Sequence, residues 1–133
     1  MADTVTSQTI QDDNRKAVLK FTNISDGTGE SAVTKIDVSA LTKNSGGDSC
    51  TEVAIAKIWW QCVGMGVELL NDATTDTLII ALSPDSNGMH DYSSFSAIPN
   101  DAGSGKTGDV KFTTIGASSG DTYTVILEVL KSY

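Results

Sequence analysis

Thr51 to Leu70 reads TEVAIAKIWWQCVGMGVELL, the longest apolar run of the chain, and it carries both tryptophans, Trp59 and Trp60. At a period of two, Val53, Ile55, Trp59, Val63, Met65, Val67 and Leu69 share one face. Ala54, Ala56, Ile58, Trp60, Cys62, Gly64 and Gly66 share the other. Both faces are mostly apolar, the pattern of a strand covered on both sides. A helix is disfavoured by the β-branched Val53, Ile55, Ile58, Val63 and Val67 and by Gly64 and Gly66. A membrane span is disfavoured because Glu52, Lys57, Gln61 and Glu68 interrupt the run. The stretch reads as two central strands, or one long bent strand, with the bend at Gly64–Gly66, where missing side chains permit a bulge.

Shorter strand patterns lie on both sides. Residues 15–24 alternate, with Ala17, Leu19 and Phe21 on one face. Ser25 to Gly29 is a turn. Ser31 to Leu41 is a second strand with Ile36 and Val38 inward. Thr77 to Ser83 places Leu78, Ile80 and Leu82 on one face. Gly108 to Ile115 is a strand with Val110 and Phe112 on the side opposite Lys111 and Thr113, and Thr122 to Lys131 lines up Tyr123, Val125, Leu127 and Val129. Residues 84–105 show few regular signals, and a loop of that length is uncommon without a role. Its Tyr92 and Phe95 suggest that it packs over a sheet edge or against a neighbour. Residues 1–14 are polar, contain Val5 and Ile10 among hydrophilic neighbours, and read as an N-terminal arm that orders on a partner. The expected organisation is an arm (1–14) and one all-β domain (15–133), an antiparallel, jelly-roll-like β-sandwich of about eight strands.

A chain of 133 residues suits one domain and buries a core without staples. The net charge of −8 and the lack of a basic cluster argue against duplex nucleic acid as a partner. The N-terminus has no basic start and no apolar core of a signal peptide, so a cytoplasm, or a particle assembled there, is the expected compartment, and no membrane partner is expected. Cys50 and Cys62 form one possible pair, which spacing cannot decide; a reducing compartment favours free thiols.

No motif carries chemistry by itself. Gly103 to Thr107 suggests a phosphate loop but lacks the earlier glycine, and a strand follows where a helix N-terminus is needed. Asp85 to Asp91 spaces oxygens as calcium loops do, without the closing Glu. His90 is the sole histidine, and no serine sits in a nucleophile elbow beside it. Asn23-Ile24-Ser25 is a sequon with no secretory context. The expectation is a protein without catalytic residues, metal or cofactor. The Trp59–Trp60 pair sends one indole to each face, one to the core and the other to core or interface.

The segments RKAVLKFTNISDGTGESAVTKIDV (15–38), TGDVKFTT (107–114) and GDTYTVILEVLK (120–131) resemble a group of small virion proteins of tailed bacteriophages. The resemblance spans nearly the whole chain and rests on turns and strands. It implies a non-enzymatic virion component, most like a capsid decoration, or cement, protein. Its partner would be the major capsid protein, its self-association a homo-oligomer with a trimer favoured, and its location the capsid surface after assembly in the host cytoplasm. A tail or neck protein and a carbohydrate- or ligand-binding β-sandwich with Tyr92 and Phe95 as platform are the alternatives. Val5, Ile10, Tyr92 and Phe95 are the candidate interface residues.

Overall fold

A computed structural model describes residues 3–133. Among these residues the chain forms nine strands: β1 (Thr4–Asp12), β2 (Lys16–Asp26), β3 (Val33–Ile36), β4 (Glu52–Val63), β5 (Gly66–Asn71), β6 (Thr77–Leu82), β7 (Asn87–Asp91), β8 (Val110–Ile115) and β9 (Ser119–Ser132). They make an antiparallel sandwich. One sheet runs β1-β2-β9-β4-β7 and the other β3-β8-β5-β6. From β2 onward the pairs are β2 with β9, β3 with β8, β4 with β7 and β5 with β6. First pairs with last, second with next to last, and successive pairs alternate between the sheets. That is the winding of a jelly roll, as the sequence leads one to expect.

The core is the alternate residue set of each strand. Leu19 and Phe21, Val67 and Leu69, Val110 and Phe112, and Tyr123 through Val129 at every second position are all buried. Phe21 and Tyr123 meet the Phe112 ring edge-on, at 5.3 Å and 5.8 Å between centroids, the geometry that ring quadrupoles favour. Ile36 is buried at the end of β3, and Val38 within the 3-10 turn that follows it.

The decisive run 51–70 divides between the sheets: β4 in one, β5 in the other. Gly64, at φ +81°, makes the corner, and its N–H donates to Asp85 Oδ1 at 2.8 Å. A Cβ there would sit 2.1 Å from an Asp121 carboxylate oxygen. One expectation fails inside β4. Pairing with β9 steps from Ile55↔Val129 to Lys57↔Glu128, leaving Ala56 as a bulge. The bulge shifts the alternation by one residue. Val53 and Ile55 face the core before it; Ile58 and Cys62 do so after it, with Trp60 packed alongside. Trp59, grouped by simple alternation with Val53 and Ile55, lies half-buried on the outer face between Met89 of β7 and Ile126 of β9.

Three other expectations change. Leu78 is 52% exposed, because β6 has its own irregularity opposite Leu69 and Leu70; Ile80 is only partly buried but packs on the core. Residues 84–105 contain β7, a 3-10 turn (Ser93–Phe95) and a bridge between Ile98 and Ile55. Thr4–Asp12 of the arm expected over residues 1–14 form an edge strand, and residues 1–2 lie outside the described residues. β1 pairs with β2 from Thr4↔Ile24 to Asp12↔Ala17, so the sandwich takes in residues expected to stand outside it.

Candidate interaction surfaces

β1 buries almost nothing of its own. Every residue from Thr4 to Gln11 is exposed, Val5 at 46% and Ile10 at 52%. Its main chain pairs with β2, and carboxylates fasten its two ends. At the start, Asp3 Oδ1 accepts from the Asp26 N–H (3.1 Å) and the Gly29 N–H (3.3 Å), and Oδ2 accepts from Asn23 Nδ2 (3.0 Å). At the far end, Lys131 has a fully buried side chain. Its Nζ donates to Asp12 Oδ1 (2.7 Å), Asp13 O (2.8 Å), Thr42 O (2.8 Å) and Thr42 Oγ1 (3.1 Å). Asp12 also accepts from the Thr42 N–H at 2.8 Å. Burial alone would raise the Asp12 carboxyl; the Lys131 and Thr42 donors outweigh it and hold the group below its ordinary value. The outer edge of β1 has no neighbouring strand in its sheet. It carries no charge from Thr4 to Gln11, so it lacks the charged side chains with which natural edges repel further strands.

Tyr92 and Phe95 do come together. They are the end of a row of four rings: Trp60 to His90 at 4.9 Å, His90 to Tyr92 at 5.9 Å, and Tyr92 to Phe95 at 5.8 Å. β7 builds the row, since Gly88 pairs with Trp60 and lets the indole lie along the strand. Ser86 accepts the Trp60 Nε1–H at 3.0 Å. Burial raises the Tyr92 hydroxyl above its usual value. His90 therefore stacks between rings. Asp85 serves Gly64, and Asp91 accepts from the Ser93 N–H at 2.8 Å. Among the described residues, no three His, Cys, Asp or Glu side chains gather as metal ligands do.

Phe95 also stands over a groove of about 800 Å³ on the outer side of the five-stranded sheet. Ala54 and Leu130, paired across β4 and β9, line it with Phe95, Pro99, Arg15 and Tyr133. Arg15 and Tyr133 were not singled out from the sequence. Nothing in their local pattern marks them, because they lie at opposite ends of the chain and meet only when β2 pairs with β9.

The remaining motifs have structural duties. Lys106 faces Glu52 at 3.4 Å, and β8 begins a few residues later. Cys50 and Cys62 are free and buried, and burial pushes the Cys62 thiol up to about 11. Between the sheets, Glu30 Oε1 accepts from the Tyr123 hydroxyl (2.6 Å) and from Asn23 Nδ2 (2.8 Å), while its other oxygen pairs with Lys35 at 2.5 Å. Burial and the Glu30 carboxylate both push the Tyr123 hydroxyl upward.

Comparison of the chain with protein-family models, with curated proteins and with solved structures finds no match.

Proposed function

We propose that this is a non-enzymatic virion structural protein that decorates the outer surface of a capsid lattice and stabilises it, with the major capsid protein as partner. The observation that carries the reading is β1: an edge strand exposed and uncharged from Thr4 to Gln11 and anchored at both ends. An extended capsid segment can add to that edge through main-chain hydrogen bonds, the mode of strand addition. Pairing with β2, interrupted by a bulge at Ile10, and the two anchors order the edge beforehand, so little ordering entropy is lost on binding. The resemblance of residues 15–38, 107–114 and 120–131 to phage virion proteins supports the same reading. The jelly roll is an architecture that viral capsid domains use, which is an analogy of fold only. Self-association belongs to the proposal as well. β6, Thr-Leu-Ile-Ile-Ala-Leu, is a second uncharged edge with Leu78 exposed, and it offers copies of the chain a contact.

The test is decoration of particles by a Val5→Lys, Ile10→Lys double variant. Both side chains are exposed, so the melting temperature should hold while incorporation is lost. Full incorporation by this variant overturns the role of β1. Copy number in purified virions tests location: hundreds indicate a decorated lattice, whereas a dozen or fewer move the protein to the neck or tail.

A further inference from the structure

We infer that the groove beneath Phe95 is a binding site for an acidic sugar, a hexuronate or sialate residue of a saccharide chain. Three observations lead there. The first is charge. The protein carries −8, yet the groove is lined by the exposed Arg15 and by no Asp or Glu side chain, while the Lys131 ammonium beside it is buried. Lys131 is committed to Asp12, Asp13 and Thr42. Arg15, the sole arginine of the chain, has no ion-pair or side-chain hydrogen-bond partner among the described residues. Its planar fork matches a carboxylate with two parallel donors. Neighbouring Asp13 does not compete for it, because its oxygens accept from the backbone N–H groups of Arg15 (3.1 Å) and Lys16 (3.0 Å) and from Gln11 Nε2 (2.7 Å).

The second is the aromatic pair. Phe95 is 60% exposed and Tyr133 39%. Phe95 is held out by strained backbone: Ser96 has φ +78° and ψ −63°, and the Ala97 N–H donates to Phe95 O at 3.1 Å, closing a γ-turn. That turn is rare for a residue with a side chain and is kept where the surroundings over-determine it. Tyr133 is fixed by its hydroxyl, which donates to Asn14 O at 2.7 Å. Sugar rings present C–H faces that pack on such rings, and Asn14, Asn44 and Ser132 supply donors and acceptors for hydroxyls.

The third excludes an extended peptide. The floor is Ala54 and Leu130; β9 has a strand on each side, and on the far side of β4 the Ile55 main chain is already bonded to Ile98, N–H to O in both directions at 3.0 and 2.8 Å. With that bridge in place, little open strand edge is left there to pair with a peptide main chain. A sugar needs none.

The experiment is an amide NMR titration of the full chain at physiological salt with trigalacturonate and with N-acetylneuraminic acid, beside neutral cellotriose and a triglutamate peptide. The expected result is shifts at residues 14–15, 95–97 and 130–133 with at least one acidic sugar. Arg15→Gln and Phe95→Ala should each weaken that binding by about tenfold or more. Both side chains are exposed, so both variants should keep the wild-type spectrum elsewhere. The inference is overturned if neither acidic sugar shifts these amides. Equal binding of cellotriose or triglutamate at the same amides also overturns it, as does Arg15→Gln binding like wild type. Particle decoration by the β1 variant is read separately, so either idea can fail alone.

Discussion

At the scale of single residues, the sandwich depends on side chains between its sheets and on a few buried polar groups. Leu127 is fully buried in β9, flanked by Leu19 and Ile58. Leu127→Ala should cost about 2–5 kcal/mol, the range for a large-to-small change in a packed core, and urea titration measures it. An unchanged midpoint would contradict the packing. Cys50 and Cys62 should react slowly with a disulfide reagent at neutral pH and rapidly once urea unfolds the chain, since burial raises both thiols and only the thiolate attacks. Asp12 gives a pH prediction. Its folded value is lowered, so its contribution is complete above the unfolded carboxylate value near 3.9 and is lost as pH falls through the folded one. Stability should therefore drop as pH falls below about 4. In Asp12→Asn that acid limb should be shallower, although stability at neutral pH is lower; identical acid limbs would remove Asp12 from the account.

At the scale of elements, β1 behaves differently from a polar arm. Residues 4–11 cannot offset their ordering entropy by burial, about 1–2 kcal/mol per residue. Main-chain pairing with β2 and the Asp3 and Asp12 anchors take that role. Removing residues 3–12 would leave Lys131 buried without its carboxylate, a loss on the order of 3–5 kcal/mol. The truncated protein should melt at a clearly lower temperature, and Lys131→Met in the truncated background should recover part of the loss. A truncation that melts like the full chain would mean that the anchor contributes nothing. The hydrophobic period of β2, β8 and β9 was legible because those strands run without a bulge through their core-facing residues. β4 was legible only in part: a single inserted residue, Ala56, reverses the faces beyond it, and local sequence has no term for an insertion relative to a partner strand. β7, Asn-Gly-Met-His-Asp, was hidden because it is wholly exposed and has no alternation to read.

At the scale of the whole molecule, the winding sets the kinetics. β2 pairs with β9 and β3 with β8, so most contacts join residues far apart in the chain. Loop closure must precede those pairings, which places folding of such topologies in the range of about milliseconds to seconds. Stopped-flow tryptophan fluorescence reads it through half-buried Trp59 and Trp60, and a microsecond phase carrying the full amplitude would contradict it. The same winding places the candidate sites. It leaves β1, uncharged from Thr4 to Gln11, and β6 as edges of opposite sheets. It also brings Arg15 and Tyr133 to a single groove beside Phe95.

The sequence by itself determined the class: period-two alternation, glycine-bearing turns and the absence of helical periodicity leave an antiparallel sandwich as the way to bury both faces of residues 51–70. It also determined most of the core, because alternation names the buried face wherever register is unbroken. Tertiary structure alone decided which strand lies beside which, where the bulges reverse a face, and what becomes of residues 3–14. Those depend on partners more than a hundred residues away, as Asp12 and Lys131 do. It alone decided the interaction surfaces as well. Val5, Ile10, Tyr92 and Phe95 could be picked out as apolar or aromatic; Val5, Ile10 and Phe95 are exposed, whereas Tyr92 packs partly on the core. An uncharged open edge and a groove free of Asp and Glu side chains are properties of neighbouring strands, and no local pattern encodes them.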